Sequence, residues 1–273
     1  DLVLGDVRDR QRMSEVIAER PYDGVAHLAA LTSGRDSLAD PLGYFDVNTV
    51  GTLNLLMALD SVRADRPPIR FVLASTNIVY GSIRIGALSV ALDPHPESPY
   101  AISKVAAEQL VAAHAATGAI SAVTLRPFNI AGAVGGVTDT DRARIIPNIF
   151  RTLTGELPYV TLNGDGSAVR DFVHVADVAT AFRLALEVAA PDGHAVYNVG
   201  SGAGASMADV VATVESTLGI TVKILNMPPK PEPPTLTADV TRARTALGWA
   251  PDRSDLRQII TDAWKAWPGS MQA

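Results

Sequence analysis

The stretch Ser98-Pro-Tyr-Ala-Ile-Ser-Lys104 decides how this chain is interpreted. After the helix breaker Pro99, the run from Tyr100 to Ala116 is dense in Ala, Leu, Val, Glu and Lys, which predicts a long helix. Tyr100 and Lys104 lie four residues apart and therefore share one face of that helix. An ammonium group beside a phenol favours the phenolate and lowers its pKa from about 10, so the pair indicates proton transfer near neutral pH.

The segment Ala74-Ser-Thr-Asn-Ile-Val-Tyr-Gly81 lies upstream of this helix and supplies two hydroxyl groups. The apolar run Ile69–Ala74 predicts a buried strand, and Ser75 and Thr76 fall where that strand ends. Ligands of open parallel sheets bind beyond the carboxyl ends of the strands. A hydroxyl there can hydrogen-bond the substrate oxygen whose proton the tyrosine takes. Without this segment, the tyrosine and lysine would indicate only a surface lysine beside a tyrosine at a helix start.

The composition indicates a globular protein and excludes several functional classes. The chain has 273 residues, of which 47% are hydrophobic and 19% charged, which is ample material for a core. No apolar run reaches the roughly 18 residues of a membrane span, and the first residues lack a signal-peptide pattern. The absence of cysteine excludes disulfides and thiolate metal sites, and the spread net charge of −6 disfavours nucleic acid. We expect a cytoplasmic enzyme with no membrane or nucleic-acid partner and no metal.

Together the two segments resemble the extended short-chain dehydrogenase/reductase family, in particular its nucleotide-sugar epimerases and dehydratases. The shared pattern is a strand, then Ser-Thr-x-x-Val-Tyr-Gly, then Ser-Pro-Tyr-x-x-Ser-Lys. The resemblance implies an α/β fold, with a Rossmann-type doubly wound parallel sheet and a small mixed α/β substrate domain. It assigns residues 1–126 and 174–190 to a dinucleotide-binding domain, and residues 127–173 and 191–273 to a substrate-binding domain.

The family's glycine-rich loop, Gly-x-x-Gly-x-x-Gly, does not occur in this sequence. In the family it precedes the segment that Asp6-Val-Arg-Asp9 matches, and such a loop seats the pyrophosphate of a dinucleotide. We expect that the sequence lacks the family's first strand-helix-strand unit. The alternative is a protein that has no such unit and binds no cofactor well.

The resemblance also implies roles for individual residues. Tyr100 would remove the proton of a sugar hydroxyl, Thr76 would hydrogen-bond that oxygen, and Lys104 would hold the cofactor ribose and favour the phenolate. The implied cofactor is NAD, and its implied neighbours are Asp6, Val7, Leu28, Ala29, Ala30, Asn48, Ser75, Tyr100, Lys104 and Pro127. The implied substrate-binding residues are Thr76, Asn129, Arg170 and Lys230.

The two basic residues of this substrate set differ in how well they match the family. Arg170 belongs to Gly164-Asp-Gly-Ser-Ala-Val-Arg-Asp171, which resembles the family's Gly-x-Gly-x-x-x-Arg-Asp, and its guanidinium suits a phosphate. Lys230 lies in the proline-rich run 228–234, where related epimerases have an arginine ahead of Gly-Asp. A lysine there would supply only a point charge.

Three other polar residues are predicted to have structural roles. His27 lies within the apolar run 22–30 and is expected to be a core histidine rather than a base. Asp171 and His174 are expected to fix a turn and cap the helix that follows.

The two residues after Thr76 favour one reaction of the family over others. Family dehydratases have Asp-Glu there and the decarboxylases keep the Glu, whereas this chain has Asn77-Ile78, which cannot shuttle a proton. The expected function is therefore an NAD-dependent nucleotide-sugar epimerase, acting at C4 of a UDP-hexose through a keto-sugar. A 4-ketoreductase, a 2-epimerase and an inactive dinucleotide-binding regulatory protein are the alternatives. The residues leave the sugar, the base and NAD versus NADP open.

Two predicted helices, 40–60 and 98–117, carry more apolar residues than one buried face requires. Related proteins commonly pair these helices across a two-fold axis, so the resemblance implies a homodimer. The apolar positions of the first helix include Leu53, Leu55, Leu56, Met57 and Leu59.

Overall fold

The computed structural model describes residues 1–63, 67–188 and 193–270. Its helices are α1 Arg10–Ala18, α2 Pro41–Phe45, α3 Gly51–Ser61, α4 Pro99–Ala115, α5 Ile145–Leu153, α6 Val175–Val188, α7 Met207–Leu218, α8 Thr241–Leu247 and α9 Leu256–Lys265. Its strands are β1 Gly24–His27, β2 Ile69–Ala74, β3 Gly86–Leu88, β4 Ile120–Pro127, β5 Asn129–Ala131, β6 Ala133–Val134, β7 Val137–Thr138, β8 Val160–Asn163, β9 Val169–His174, β10 His194–Val199, β11 Gly204–Ser206, β12 Ile224–Met227 and β13 Thr235–Ala238.

The described chain forms two compact units. The first contains residues 1–81, 90–126 and 182–197, and the second contains residues 82–89, 127–181 and 198–273. Among the described residues, no helix is both long enough and apolar enough to cross a lipid bilayer.

A sheet with the strand order β1-β2-β4-β10 organises the first unit. Its first three strands are parallel, and β2 is buried along most of its length because Phe71, Val72 and Leu73 are fully enclosed. Helix α3 packs against both α1 and α4, and Leu55, Leu59 and other apolar side chains of these helices join the strands in one core. The predicted α/β class with a parallel sheet is confirmed.

The predicted helix 40–60 is continuous but not uniform. Between α2 and α3, residues Asp46–Val50 form a π-helical segment, so the chain winds more widely for about one turn. Helix α4 begins and ends within two residues of the predicted bounds, and Gly118 follows it with a φ of 72° that favours glycine.

The second unit contains a mixed sheet with the strand order β11-β9-β13-β3, in which β5 also pairs with β9. Helices α5, α7 and α9 enclose its core, where the rings of Trp264 and Trp267 meet Phe150 edge-on. Helix α7 begins with a capping box formed by Ser206 and Asp209. Strands β6 and β7 form a hairpin, and β8 pairs in parallel with β12.

The bounds of the two units differ from the predicted domains at three places. Residues 82–89 lie in the second unit because β3 pairs with β13. Residues 174–181 lie there because Asp177 holds Trp249 and Ser254 through hydrogen bonds of 2.8 and 2.6 Å. Residues 193–197 lie in the first unit because β10 pairs with β4. The predicted boundary between 190 and 191 falls outside the described residues.

Candidate active site

Ser75 and Thr76 follow β2 directly and are both buried. The backbone N–H of Ser75 donates to the carbonyl of Leu125 on β4 at 2.7 Å. Thr76 caps the 3₁₀ helix Asn77–Tyr80, and its Oγ1 accepts a hydrogen bond from the backbone N–H of Ile78 at 3.2 Å. The two hydroxyls are therefore held at the carboxyl end of the sheet, where the sequence predicts them.

Tyr100 and Lys104 lie in the first turns of α4, as predicted. Ser98 caps this helix by accepting the backbone N–H of Ala101 at 3.2 Å, and the Tyr100 ring meets Tyr44 edge-on with centroids 6.1 Å apart. Both side chains are almost enclosed, since Tyr100 is 5% and Lys104 3% exposed. Helix α4 also packs against the 3₁₀ helix that Thr76 caps. The fold thus brings together the two elements that carry the predicted catalytic residues.

Lys104 is a buried cation. Burial lowers the pKa of its ammonium group to about 8, and the nearby negative charge of Glu108 opposes this effect. Because a buried ammonium is costly without partners, the site suits a ligand that presents hydroxyl oxygens to it.

Asn48 occupies the π-helical segment and links it to α4. Its side-chain oxygen accepts the N–H of Leu31 at 2.8 Å, and its Nδ2 donates to the Leu31 carbonyl and to the Ser103 hydroxyl, each at 3.0 Å. Thr49 donates to the Ser103 carbonyl at 3.0 Å. Asn48 therefore holds the residue beside Lys104 and the loop after β1. A direct contact between Asn48 and a cofactor stays a prediction.

The residues predicted to border a cofactor at β1 remain accessible. Leu28 and Ala29 are exposed and Ala30 is half-buried, directly after the strand ends. Small side chains at this edge leave the backbone open to a close approach.

The predicted cofactor neighbours Asp6 and Val7 lie just before α1, and Val7 contacts α3. Asp6 forms an exposed ion pair with Arg8 at 2.7 Å, and the hydrogen bonds from Arg8 lower its pKa to about 2. Val7 packs against Gly51, where an added Cβ would lie 2.6 Å from the valine side chain. Asn54 fixes the same segment by donating to the Val7 carbonyl at 3.1 Å.

Sequence reasoning missed a buried ion pair, that of Glu108 and Arg126, which lies beside Ser75 and near Lys104. Glu108 accepts two hydrogen bonds from Arg126, at 3.0 and 2.6 Å, and a further one from the Ser75 hydroxyl. Arg126 also donates to the Tyr80 hydroxyl at 3.1 Å. Burial acts to lower the pKa of Arg126, but the hydrogen bonds and charge of Glu108 outweigh it and raise that pKa above its usual value. The one sequence signal was a glutamate one helical turn after Lys104.

In the second unit, Arg170 is already engaged. Its guanidinium forms an ion pair with Glu232 at 2.5 Å and donates to the Pro233 carbonyl at 2.9 Å. A phosphate at Arg170 would therefore compete with Glu232, which the sequence interpretation did not foresee. Lys230, two residues before Glu232, is exposed.

The remaining predicted residues of the second unit have fixed surroundings. Asn129 donates to the Asp171 carbonyl at 3.0 Å, and Pro127 is buried at the end of β4. The Asp171 carboxylate accepts hydrogen bonds from Ser201, Gly202 and Ala238. Asp171 therefore fixes a turn, as predicted.

Two histidines have the structural roles that the sequence predicts. His27 is buried in the core and hydrogen-bonds Thr52 at 3.0 Å, and burial, followed by the charge of Lys104, lowers its pKa to about 4. His174 accepts the backbone N–H of Ala176 at 3.0 Å and so caps α6. Neither histidine is needed as a base in this arrangement. A buried phenol, an ammonium and a hydroxyl are instead the groups suited to taking a proton from an alcohol.

Comparisons with known proteins agree with this interpretation. Residues 1–200 match the model of the NAD dependent epimerase/dehydratase family. The chain is 34% identical to UDP-glucose 4-epimerase of Streptomyces lividans, over 97% of this chain and 82% of that protein. It is 33% identical to UDP-glucose 4-epimerase of Corynebacterium glutamicum, over 96% of this chain and 81% of that protein.

Solved structures give the same result at the level of the fold. UDP-glucose-4-epimerase from Stenotrophomonas maltophila, with bound NAD and formylated UDP-arabinopyranose, matches with a TM-score of 0.89 and 33% identity, over 97% of this chain and 81% of that one. UDP-glucose 4-epimerase from Bifidobacterium longum, in complex with NAD+ and UDP, matches with a TM-score of 0.84 and 29% identity, over 96% and 81%.

Proposed function

Because the chain belongs to the NAD dependent epimerase/dehydratase family, we propose that it inverts C4 of a nucleotide sugar, with a UDP-hexose as substrate and NAD as cofactor. The observation that carries the proposal is the pair of buried side chains Tyr100 and Lys104 on one face of α4, which packs against the helix capped by Thr76. The relatives and solved structures named above support the same reaction.

The first unit fits this cofactor. The buried Lys104 ammonium is suited to ribose hydroxyls, while Leu28 and Ala29 are exposed at the end of β1. Asn48 would act on the cofactor site through Ser103 and Leu31, which it holds. When bound, NAD supplies a hydride acceptor that later returns the hydride to the sugar.

The chain's own residues then handle one proton. Tyr100, as phenolate, accepts the proton of the C4 hydroxyl while the hydride leaves C4, and it returns that proton to the oxygen when the hydride comes back to the opposite face. The Thr76 hydroxyl hydrogen-bonds the same oxygen and keeps it directed at Tyr100. The Lys104 ammonium favours the phenolate and so lets this step run near neutral pH.

Arg170 and Lys230 are proposed to bind the phosphates of the nucleotide sugar, and Asn129 to contact its sugar side. For Arg170 this requires that a phosphate replace the carboxylate of Glu232, which now holds the guanidinium. A bidentate contact of arginine with phosphate makes the exchange chemically reasonable.

The residues after Thr76 favour epimerisation over elimination. Asn77 and Ile78 begin the 3₁₀ helix, and neither side chain can exchange a proton with a substrate. A dehydratase needs an acid and a base at the carbon next to the keto group, so we propose that the keto-sugar is reduced again rather than dehydrated.

The proposal is tested by incubating the purified protein with NAD and UDP-glucose and following the anomeric proton signals by NMR. UDP-galactose should form until the two sugars reach equilibrium. If the protein recognises the uracil base, dTDP-glucose should react more slowly. If no sugar nucleotide is converted but NADPH is consumed with a 4-keto-sugar nucleotide, the protein is a 4-ketoreductase instead. A change at C2 would identify a 2-epimerase, and no turnover with retained NAD would indicate a regulatory protein.

We further propose that the protein acts as a homodimer. Its support is an apolar groove of about 320 Å³ between α3 and α4, lined by Leu53, Leu56, Met57 and Leu110 among others. Leu53 and Met57 are each 38% exposed there and lie four residues apart on one helix face, so they form an accessible apolar patch. The cytoplasmic location expected from the sequence stays a prediction.

A further inference from the structure

Glu108 and Arg126 form an ion pair that is almost completely buried. Glu108 is 6% and Arg126 4% exposed, and two parallel hydrogen bonds join them. Taking two charges out of water costs more than a buried pair usually returns in stability, so such a pair is weak evidence for a purely stabilising role. Its position suggests another role, because it contacts Ser75, the neighbour of Thr76, and Glu108 acts electrostatically on Lys104.

The pair is tied to both ends of the segment that contains Thr76. On one side, the Ser75 hydroxyl donates to Glu108. On the other, Tyr80 ends the 3₁₀ helix, its hydroxyl accepts a hydrogen bond from Arg126 at 3.1 Å, and its ring centroid lies 5.0 Å from the guanidinium carbon. Thr76 is therefore held between two residues that one ion pair fixes.

The pair also bears on Lys104. Tyr100, Lys104 and Glu108 follow one another at intervals of four residues along α4, so they share one helix face. The ionisable groups of the described chain that interact electrostatically with Lys104 include Glu108 on α4 and His27 on β1. His27 is neutral near pH 7 because burial and then the charge of Lys104 lower its pKa to about 4. Glu108 is thus the anion that opposes the effect of burial on Lys104.

We propose that Glu108, paired with Arg126, is a positioning residue of the reaction proposed above: it fixes the Ser75–Thr76 segment and supplies the negative charge that keeps Lys104 protonated. The inference rests on the proposed function, because positioning has a meaning only if Thr76 and Lys104 act on a substrate. It predicts two separable effects, one on geometry and one on charge.

The geometric effect is tested with Ser75→Ala, which removes only the hydroxyl that Glu108 holds. The kcat for UDP-glucose should fall about 10- to 100-fold, with KM changed less than about twofold, because a misplaced Thr76 affects the chemical step. The matched control is Ser121→Ala, a buried serine at the opposite end of the neighbouring strand β4. It should lose stability while keeping the parent kcat.

The electrostatic effect is tested with Glu108→Gln, which keeps the shape of the side chain and removes its charge. Lys104 should then lose its proton at a lower pH, so the alkaline limb of the kcat profile should move to lower pH. Ser75→Ala changes no charge and should leave that limb in place. A double variant, Glu108→Gln with Arg126→Met, removes both buried charges and serves if the single change prevents folding.

A readout independent of activity separates this inference from the proposed function. Carbon-13 NMR of lysine labelled at Cε reports the pKa of Lys104 directly, with Lys104→Met assigning the signal. That pKa should be lower in Glu108→Gln than in the parent, and it should be lowered less in the double variant, which also loses the positive charge of Arg126. If the parent interconverts no sugar nucleotide, the proposed function fails while the NMR comparison still decides the electrostatic part. An unchanged Lys104 pKa, or parent-like kcat in Ser75→Ala, would overturn the inference.

Discussion

At Lys104 the protein keeps a charged side chain in a place that disfavours charge. The group is 3% exposed, burial lowers its pKa to about 8, and Glu108 offsets only part of that effect. The unfolded chain would have the ordinary value of 10.5. Below about pH 8 the folded protein therefore carries the full cost of the buried charge. As pH rises from 8 to 10.5, the folded state releases the proton first and that cost disappears.

We predict that Lys104→Met makes the protein more stable while abolishing catalysis. At pH 7 and without added dinucleotide, the free energy of unfolding should rise by about 2 to 3 kcal/mol, because methionine fills the space without a buried charge. The gain should shrink between pH 8 and 10.5. Urea denaturation at a series of pH values measures it, with the exposed Lys223→Met as the control. A Lys104→Met protein that is less stable than the parent at every pH would contradict this account of the site.

At the scale of elements, the π-helical segment is the feature that places Asn48. In this segment the Asn48 amide reaches Leu31 after β1 and Ser103 on α4. We predict that Asn48→Ala lowers the free energy of unfolding by about 2 to 3 kcal/mol, since the part-buried N–H and carbonyl of Leu31 and the buried hydroxyl of Ser103 lose a partner. It should also lower kcat, because the residue beside Lys104 loses its support.

The control that separates the effect on kcat from the effect on stability is Asn148→Ala on α5. Asn148 likewise donates its side-chain amide to a backbone carbonyl, that of Arg142 at 2.9 Å, but at a half-buried position in the second unit. Denaturation and steady-state rates of the two variants should show loss of stability in both and loss of kcat in Asn48→Ala alone. Equal kcat values would mean that the π-helical segment is only structural.

Many of the helices and strands could be predicted, because they depend on local sequence patterns. The strand Ile69–Ala74 has the predicted bounds, and α4 lies within the predicted range, since a continuous apolar run and a run of helix formers are visible in sequence. The π-helical segment was not predicted, because one extra residue in a helical turn leaves no clear pattern. The hairpin of β6 and β7 cannot be predicted either, because its two-residue strands are too short to show alternation.

The candidate site likewise has a part that the sequence predicts and a part that it does not. The resemblance to the family, which rests on contiguous motifs, is confirmed by the family match. The roles of Thr76, Tyr100 and Lys104 stay predictions, although they lie where the motifs place them. The partners Glu108 of Arg126 and Glu232 of Arg170 were missed because each pair joins residues far apart in sequence. Only folding brings these carboxylates to the arginines.

At the scale of the whole molecule, the groove between α3 and α4 predicts a dimer. Light scattering at micromolar concentration should give twice the chain mass of 28.7 kDa. Met57→Asp places a charge in the groove and should give the monomer mass. Val137→Asp, at a side chain that is 74% exposed on the β6–β7 hairpin, should leave the mass unchanged. A parent protein with the mass of one chain would contradict the dimer.

The central claim is that Tyr100 exchanges a proton with the substrate, and Tyr100→Phe tests it most directly. The change removes one oxygen and keeps the ring that packs on Tyr44, so the fold should persist. Interconversion of UDP-glucose and UDP-galactose, followed by NMR with NAD present, should slow about 10²- to 10⁴-fold, the usual cost of losing a general base. The control Tyr22→Phe, which loses a hydroxyl bonded to the Val16 carbonyl, should keep the parent rate. Turnover of Tyr100→Phe at the parent rate would contradict the account.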